Sequence, residues 1–182
     1  MELTLVTASM PQRLPLLREL LASVEGQTVR PFAHLVEVSA TPLVPKLNRL
    51  ISQVQTPYFV QVDDDDLLYP NHVATLADAL TADVVWTWCD VEGRDWSPNE
   101  PYQPGVLQGR NYIPSNCALS TERVLALGGH REVAAPDYHD WDLLRRLESD
   151  AASFRNVPLV TWRYRFHGRN TGGRTQPEFR DL

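Results

Sequence analysis

The sequence predicts an α/β domain, with a mostly parallel sheet covered by helices on both faces. Three observations carry this. Short β-branched and aromatic runs alternate with segments whose apolar residues recur at helical spacing, the order expected of strands joined by crossover helices. One such run, Tyr58-Phe59-Val60-Gln61-Val62, leads directly into four aspartates, Asp63 to Asp66, and in an α/β sheet the carboxyl end of a strand opens on the crevice where ligands bind. The chain has 182 residues, of which 43% are hydrophobic and 22% charged, which suits one domain around a sizeable core.

Taken in order, Leu3 to Thr7 reads as a first strand. Leu14, Leu17, Leu20, Leu21 and Val24 then lie on one helical face, and Gly26 marks its end. His34 to Ser39 is a second strand. Leu43 to Val54 is a second helix, with Leu47, Leu50, Ile51 and Val54 together. Tyr58 to Val62 is a third strand, followed by a helix from about Asn71 to Leu80 and a strand from Val84 to Cys89. Residues 93–114 are rich in Gly, Pro, Asn and Trp and suit a surface excursion or substrate loop. Apolar order returns at Asn116 to Leu119. A helix from about Thr121 stops at Gly128-Gly129, another runs from about Asp140 to Leu147, and Val157 to Tyr164 is a last strand. The end of the chain, residues 166–182, carries three glycines and little apolar content, so it is expected to be mobile.

The four aspartates demand an explanation. Neighbouring unit charges repel by about 4 kcal/mol at ~4 Å and an effective dielectric near ~20. Capping of the helix that Pro70 could open accounts for one or two of them. Four exceed that need, and a hard divalent cation is the natural partner of such a cluster. Strand-like alternation would turn Asp63 and Asp65 to one side and Asp64 to the other.

Bulk properties exclude several classes. A net charge of −6 provides no general attraction to nucleic-acid backbones. Cys89 and Cys117 form neither a disulfide framework nor a metal-binding pair, and both are expected as buried free thiols. The first residues lack the basic start and apolar run of a signal peptide, and no stretch has the length of a membrane span, so a cytoplasmic protein is expected. Neither GxxxxGK[ST] nor a strand-borne GxGxxG is present.

Three further segments hold candidate chemistry. In the turn Thr7-Ala8-Ser9-Met10-Pro11-Gln12-Arg13, hydroxyls and an arginine at the mouth of the first strand could hold a base and its phosphates, or simply cap a helix. In His139-Asp140-Trp141-Asp142 a carboxylate could serve as general base, although aspartates at a helix start also complement the dipole; Asp142, in the first turn, is the more readily explained that way. Arg163, Arg165 and Arg169 around His167 could bind a diphosphate and complete a metal shell.

In order and spacing these segments resemble the family 2 type of glycosyltransferase, of GT-A fold. The resemblance covers about Leu3 to Asn170. The Thr7 to Arg13 turn is similar to that family's PT-x-x-R start, and Ser23-Val24-Glu25-Gly26-Gln27-Thr28 to its S-V-x-x-Q-T helix end. Lys46-Leu47-Asn48-Arg49 is similar to its A-R-N helix, and Phe59 to Asp66 to the strand carrying D-x-D. Gly128-Gly129 followed by His139 to Leu143 is similar to its G-G…E-D-x-D-L segment.

The resemblance implies a GT-A catalytic domain over residues 1–165, an acceptor-side loop at 93–114 and a lid at 166–182. It implies a metal-dependent, inverting transfer of sugar from a nucleotide-diphosphate donor, a UDP-sugar being favoured, to an acceptor hydroxyl. Asp140 would be the base. Asp63 would meet the donor ribose, with Thr7, Ala8, Arg13, Glu37, Ser39, Lys46 and Asp64 around the nucleotide. Asp65 and His167 would hold Mn2+ or Mg2+, while Trp141, Asn116, Arg165 and Arg169 would lie on the acceptor or diphosphate side. The chain departs from the family where V-D-D-G-S is usual: Val36-Glu37-Val38-Ser39-Ala40 stands there, so Glu37 or Ser39 would replace the base contact. His139 stands where Glu usually precedes the base. The chain stops soon after the core, so a minimal transferase without an added acceptor domain or anchor is expected.

Two other readings use the same aspartates. A phosphoryl-transfer or phosphatase-type enzyme would need an aspartyl nucleophile and a supporting lysine, and Lys46, the sole lysine among 17 basic residues, precedes the cluster. A non-catalytic nucleotide-sugar-binding module would keep the cluster without needing Asp140.

Overall fold

The structure is a computed structural model that describes residues 2–93, 99–133 and 138–165. Its strands are β1 (Leu3–Ser9), β2 (Ala33–Val38), β3 (Tyr58–Gln61), β4 (Leu67–Leu68), β5 (Val84–Val91), β6 (Cys117–Ser120) and β7 (Phe154–Tyr164). Its helices are α1 (Leu14–Glu25), α2 (Leu43–Ile51), α3 (His72–Ala79), α4 (Thr121–Ala126) and α5 (His139–Ser149). The strands form one sheet in the order β2-β1-β3-β6-β5-β7-β4. β1 pairs in parallel with β2 and β3, and β5 with β7; β6 and β4 run against their neighbours. The sheet is therefore mostly parallel in strand direction, as expected.

Helices cover both faces. Leu17 and Leu20 of α1 and Val73 and Leu76 of α3 pack with Leu5 and Val60 in one core. Leu47 and Ile51 of α2, Val124 of α4 and Leu143 of α5 pack with Phe59 and Trp86 in the other. The single-residue offset between Leu5 and Val6, which belong to opposite cores, is the strand alternation that lets one sheet serve both. In β7 the pairing with β5 jumps from Val157 to Val160, and Pro158, which cannot donate to a ladder, lies within the jump.

The chain leaves β1, returns on one side as β2 and then crosses to the other side as β3. This makes the carboxyl end of β1 a topological switch point, where α/β sheets open a binding crevice. The Ser9–Arg13 turn and the four aspartates both lie there. The short strand β4 was not foreseen: Leu67 and Leu68 give too brief a run to show a period, and their pairing with β7 is long-range. Both cysteines are buried free thiols, as expected. Among the described residues no helix is long and apolar enough to cross a membrane.

Candidate active site

The aspartates do not continue the strand. β3 ends at Gln61, and the Asp66 N–H donates to the Asp63 carbonyl at 3.1 Å, closing a turn with Asp64 and Asp65 at its corners. The alternation expected of them is consequently lost. One guanidinium faces both corner residues: Arg13 Nε lies 2.8 and 3.0 Å from the Asp64 oxygens, and Arg13 Nη2 lies 2.6 Å from Asp65 Oδ2. Ser9 Oγ donates to Asp64 at 2.5 Å. Asp63 instead accepts from Ser115 Oγ at 3.1 Å.

The chain just after the turn is held by Ser23 of α1 and by Gln27 beyond its end. Ser23 Oγ accepts the Leu68 N–H at 3.2 Å, while the Gln27 amide donates to the Tyr69 carbonyl at 2.7 Å and accepts the Val73 N–H at 2.9 Å. Arg165, buried, donates to the Asp65 carbonyl, Glu19 and the Leu16 carbonyl, joining the end of β7 to the turn and to α1.

Electrostatically the turn is strained. Burial pushes Asp63 up to about 7, and the charges of Asp65, Asp140 and Asp64 push in the same direction. Asp66 is raised well above the usual carboxylate range by burial and by Asp63 and Asp65, and its Oδ1 has no hydrogen-bond partner among the described residues. An oxygen-rich, overcharged turn of this kind suits a hard divalent ion such as Mg2+ or Mn2+. Among the described residues, no three His, Cys, Asp or Glu side chains converge as a complete ligand set.

The other expected residues divide into two groups. Asp140 stands in the first turn of α5 and takes the Trp141 N–H on Oδ1 at 2.7 Å, and its charge adds to the burial that raises Asp63 and Cys117. Trp141 is half-buried beside it, its indole N–H donating to the Leu107 carbonyl at 2.7 Å. Glu37 is held by Arg49 and accepts from Ser39 Oγ at 2.7 Å; the Arg49 bond chiefly lowers its pKa to about 2.

A second group is turned inward. Thr7 is fully buried, gives its proton to the Val62 carbonyl at 2.9 Å and accepts from His34 Nε2 at 2.9 Å, so the hydroxyl that meets the acid turn is that of Ser9. Ala8 packs against the second core. Lys46 is buried, with its ammonium on the carbonyls of Ser9 and Ser39, tying the ends of β1 and β2 together. Asn116 is fully buried beside His72, and neither its amide nor His72 Nε2 reaches hydrogen-bond geometry among the described residues. His167, Arg169 and the expected lid at 166–182 lie outside the described residues, as do residues 94–98 of the expected loop. From 99 to 114 that loop is fastened to the body: Leu107, Tyr112 and Ile113 are core residues, and Glu148 of α5 accepts from Tyr102, Gly105 and Gln108. Ser9 stood among the hydroxyls of the first turn, Gln27 and Asn48 only within motifs, and Ser115 was not singled out. A single small polar residue carries no periodic signal, and only the fold brings these side chains to the turn or its supports.

No family model matches the chain, and no curated protein matches it in sequence. Solved structures match in fold. S. aureus TarS residues 1–349 in complex with UDP-GlcNAc superposes with a TM-score of 0.75 at 11% identity, over 95% of this chain and 61% of that one. The mannosyltransferase PcManGT from Pyrobaculum calidifontis, in complex with GDP-Man and Mn2+, superposes with a TM-score of 0.69 at 14% identity, over 94% and 59%. The fold is that of these glycosyltransferases. This chain spans about 60% of the length of another S. aureus TarS 1–349 structure, which superposes with a TM-score of 0.73.

Proposed function

We propose that the chain is a metal-dependent, inverting glycosyltransferase that moves a sugar from a nucleotide-diphosphate donor to an acceptor hydroxyl. One observation supports the proposal: the charge of Asp140, in the first turn of α5, adds to those that raise Asp63, so a carboxylate suited to act as base lies near a turn suited to a cation. The similar structures hold UDP-GlcNAc, or GDP-Man with Mn2+.

In this reading Asp65, with His167, would hold Mn2+ or Mg2+ against the donor, and Asp63 would meet the donor ribose. The bound ion would neutralise charge on the departing diphosphate. The Asp140 carboxylate takes the acceptor hydroxyl proton as that oxygen bonds to the anomeric carbon and the bond to the diphosphate breaks. Attack from the face opposite the leaving group inverts the centre. Glu37 and Ser39 at the end of β2, with Arg49 of α2, would present both acceptors and donors to a nucleobase. Lys46 is committed to two carbonyls, which removes the supporting cation that a phosphoaspartyl mechanism needs.

Calorimetric titration of UDP-GlcNAc and GDP-Man, each with and without Mn2+, tests the reading. Binding of one donor only with Mn2+ supports it, and equal metal-free binding removes the metal role.

A further inference from the structure

We propose that Asn48 is a positioning residue for Asp140, acting through the loop at Gly129 and His130; this rests on the reading of Asp140 as the base. Asn48 lies on α2, far along the chain from α5. Its side-chain amide makes a reciprocal pair with the backbone of His130: Nδ2–H donates to the His130 carbonyl at 2.9 Å, and Oδ1 accepts the His130 N–H at 2.8 Å. That is the pattern by which one strand holds another, supplied here by a side chain.

The fit is close enough to dictate the neighbouring residue. Gly129 has φ +72, and a Cβ there would lie 2.4 Å from Asn48 Oδ1. A larger residue at 129 would meet both a strained backbone and the amide that holds the loop. From the other side Arg146 of α5 donates to the Gly129 carbonyl at 2.7 Å and the Leu127 carbonyl at 3.1 Å, while its Nε pairs with Asp142 at 2.8 Å.

His130 carries this constraint to the start of α5. It is buried, and its ring meets His139 edge-on, with centroids 4.9 Å apart and planes at 75°. His130 Nδ1 lies 3.3 Å from the His139 carbonyl and 3.2 Å from His139 Nδ1. A carbonyl only accepts, so the proton sits on His130 Nδ1 and both atoms of His139 face it. His139 is the first residue of α5 and immediately precedes Asp140. Held at its backbone and its ring, His139 fixes where Asp140 stands in the first turn of the helix. A base displaced by about 1 Å can lose roughly a hundredfold in rate, so a contact made this far from the chemistry has leverage on it.

The test is a mutant cycle on the full chain. Hydrolysis of UDP-GlcNAc and of GDP-Man in Mn2+, water standing in for the acceptor, is measured for wild type, Asn48→Ala, Asp140→Asn and the double variant. The inference expects Asn48→Ala to lower kcat roughly ten- to hundredfold with donor KM unchanged, and to have no further effect in the Asp140→Asn background. Asn48→Asp keeps the acceptor for His130 N–H but sets a carboxylate oxygen against the His130 carbonyl, so it should lose at least as much kcat as Asn48→Ala, and a wild-type circular dichroism spectrum of both variants guards against misfolding. A raised KM with intact kcat, or the same fold-loss with and without Asp140, overturns the inference and leaves the transferase reading standing. Wild-type kcat in Asp140→Asn overturns the base assignment itself. Amide exchange of residues 139–142, faster in Asn48→Ala and unchanged in Asp140→Asn, reads the positioning without reference to any donor.

Discussion

Arg13 grips Asp64 at both carboxylate oxygens and reaches Asp65 with the same guanidinium. The arginine is therefore the resident counter-ion of the acid turn, and its Nη2 stands against Asp65, the carboxylate proposed to hold a divalent ion. Substitution Arg13→Gln leaves two nearly buried carboxylates without this partner. It should cost about 2–4 kcal/mol in urea unfolding at neutral pH without metal. Mn2+ should restore much of that loss and bind the variant more tightly than wild type in the absence of nucleotide. A variant as stable as wild type, or one that Mn2+ does not stabilise further, would show that Arg13 and the ion do not compete.

Asp140→Asn tests the base role proposed for this residue apart from the turn. Turnover should fall by about 10²–10⁴ while donor affinity changes little. The same substitution removes one of the charges that holds Asp63 near 7, although burial, the larger cause, remains. The Asp63 carboxyl resonance should then titrate at lower pH in the variant. An unchanged Asp63 titration would mean that the two carboxylates do not share a crevice.

Much of the fold was legible because the core elements are periodic: Leu47, Leu50 and Ile51 announce α2, and Tyr58 to Val62 announces β3. What failed did so for physical reasons. Four identical residues carry no period, so the geometry of 63–66 was set by the Asp66–Asp63 hydrogen bond and by Arg13, neither visible as a pattern. Thr7 and Ser9 look alike in sequence, but the pleat and the neighbouring Val62 carbonyl bury one hydroxyl and leave the other on Asp64. The 99–114 segment reads as polar and glycine-rich, yet Leu107, Tyr112 and Ile113 anchor it at irregular spacing.

The buried histidines set an acid limit on stability. Burial lowers His72 to about 3, His130 to about 3 and His34 to about 4, against an ordinary value near 6.5. Between those values and pH 6.5 the unfolded chain binds more protons than the folded one, so stability rises with pH across that window. This contribution is full above pH 6.5 and is lost as pH falls. Asp63, raised to about 7, acts in the opposite sense, its contribution being present below 3.8 and lost as pH rises through 7. His72→Gln isolates the first effect. Its stability deficit relative to wild type should shrink between pH 7 and pH 5 in urea unfolding; a constant deficit would mean that His72 does not stay neutral in the fold.

Lys46 tests whether a buried cation at the crevice holds the donor or holds the protein. Its ammonium joins the Ser9 and Ser39 carbonyls, and burial lowers its pKa, with Glu37 and Asp64 offsetting part of that effect. In Lys46→Met the Ser9 carbonyl keeps the Ser39 N–H at 3.2 Å, whereas the Ser39 carbonyl loses this donor. Stability should fall by about 1–3 kcal/mol, the cost of a buried group left unmatched. Donor affinity measured below the unfolding transition should change by less than about threefold, under ~1 kcal/mol, and its salt dependence should match wild type. A direct contact with the diphosphate would instead give a large affinity loss and a shallower salt dependence. That outcome would move Lys46 from the strand ends into the donor site, and the crevice would then hold a mobile cation beside Arg13.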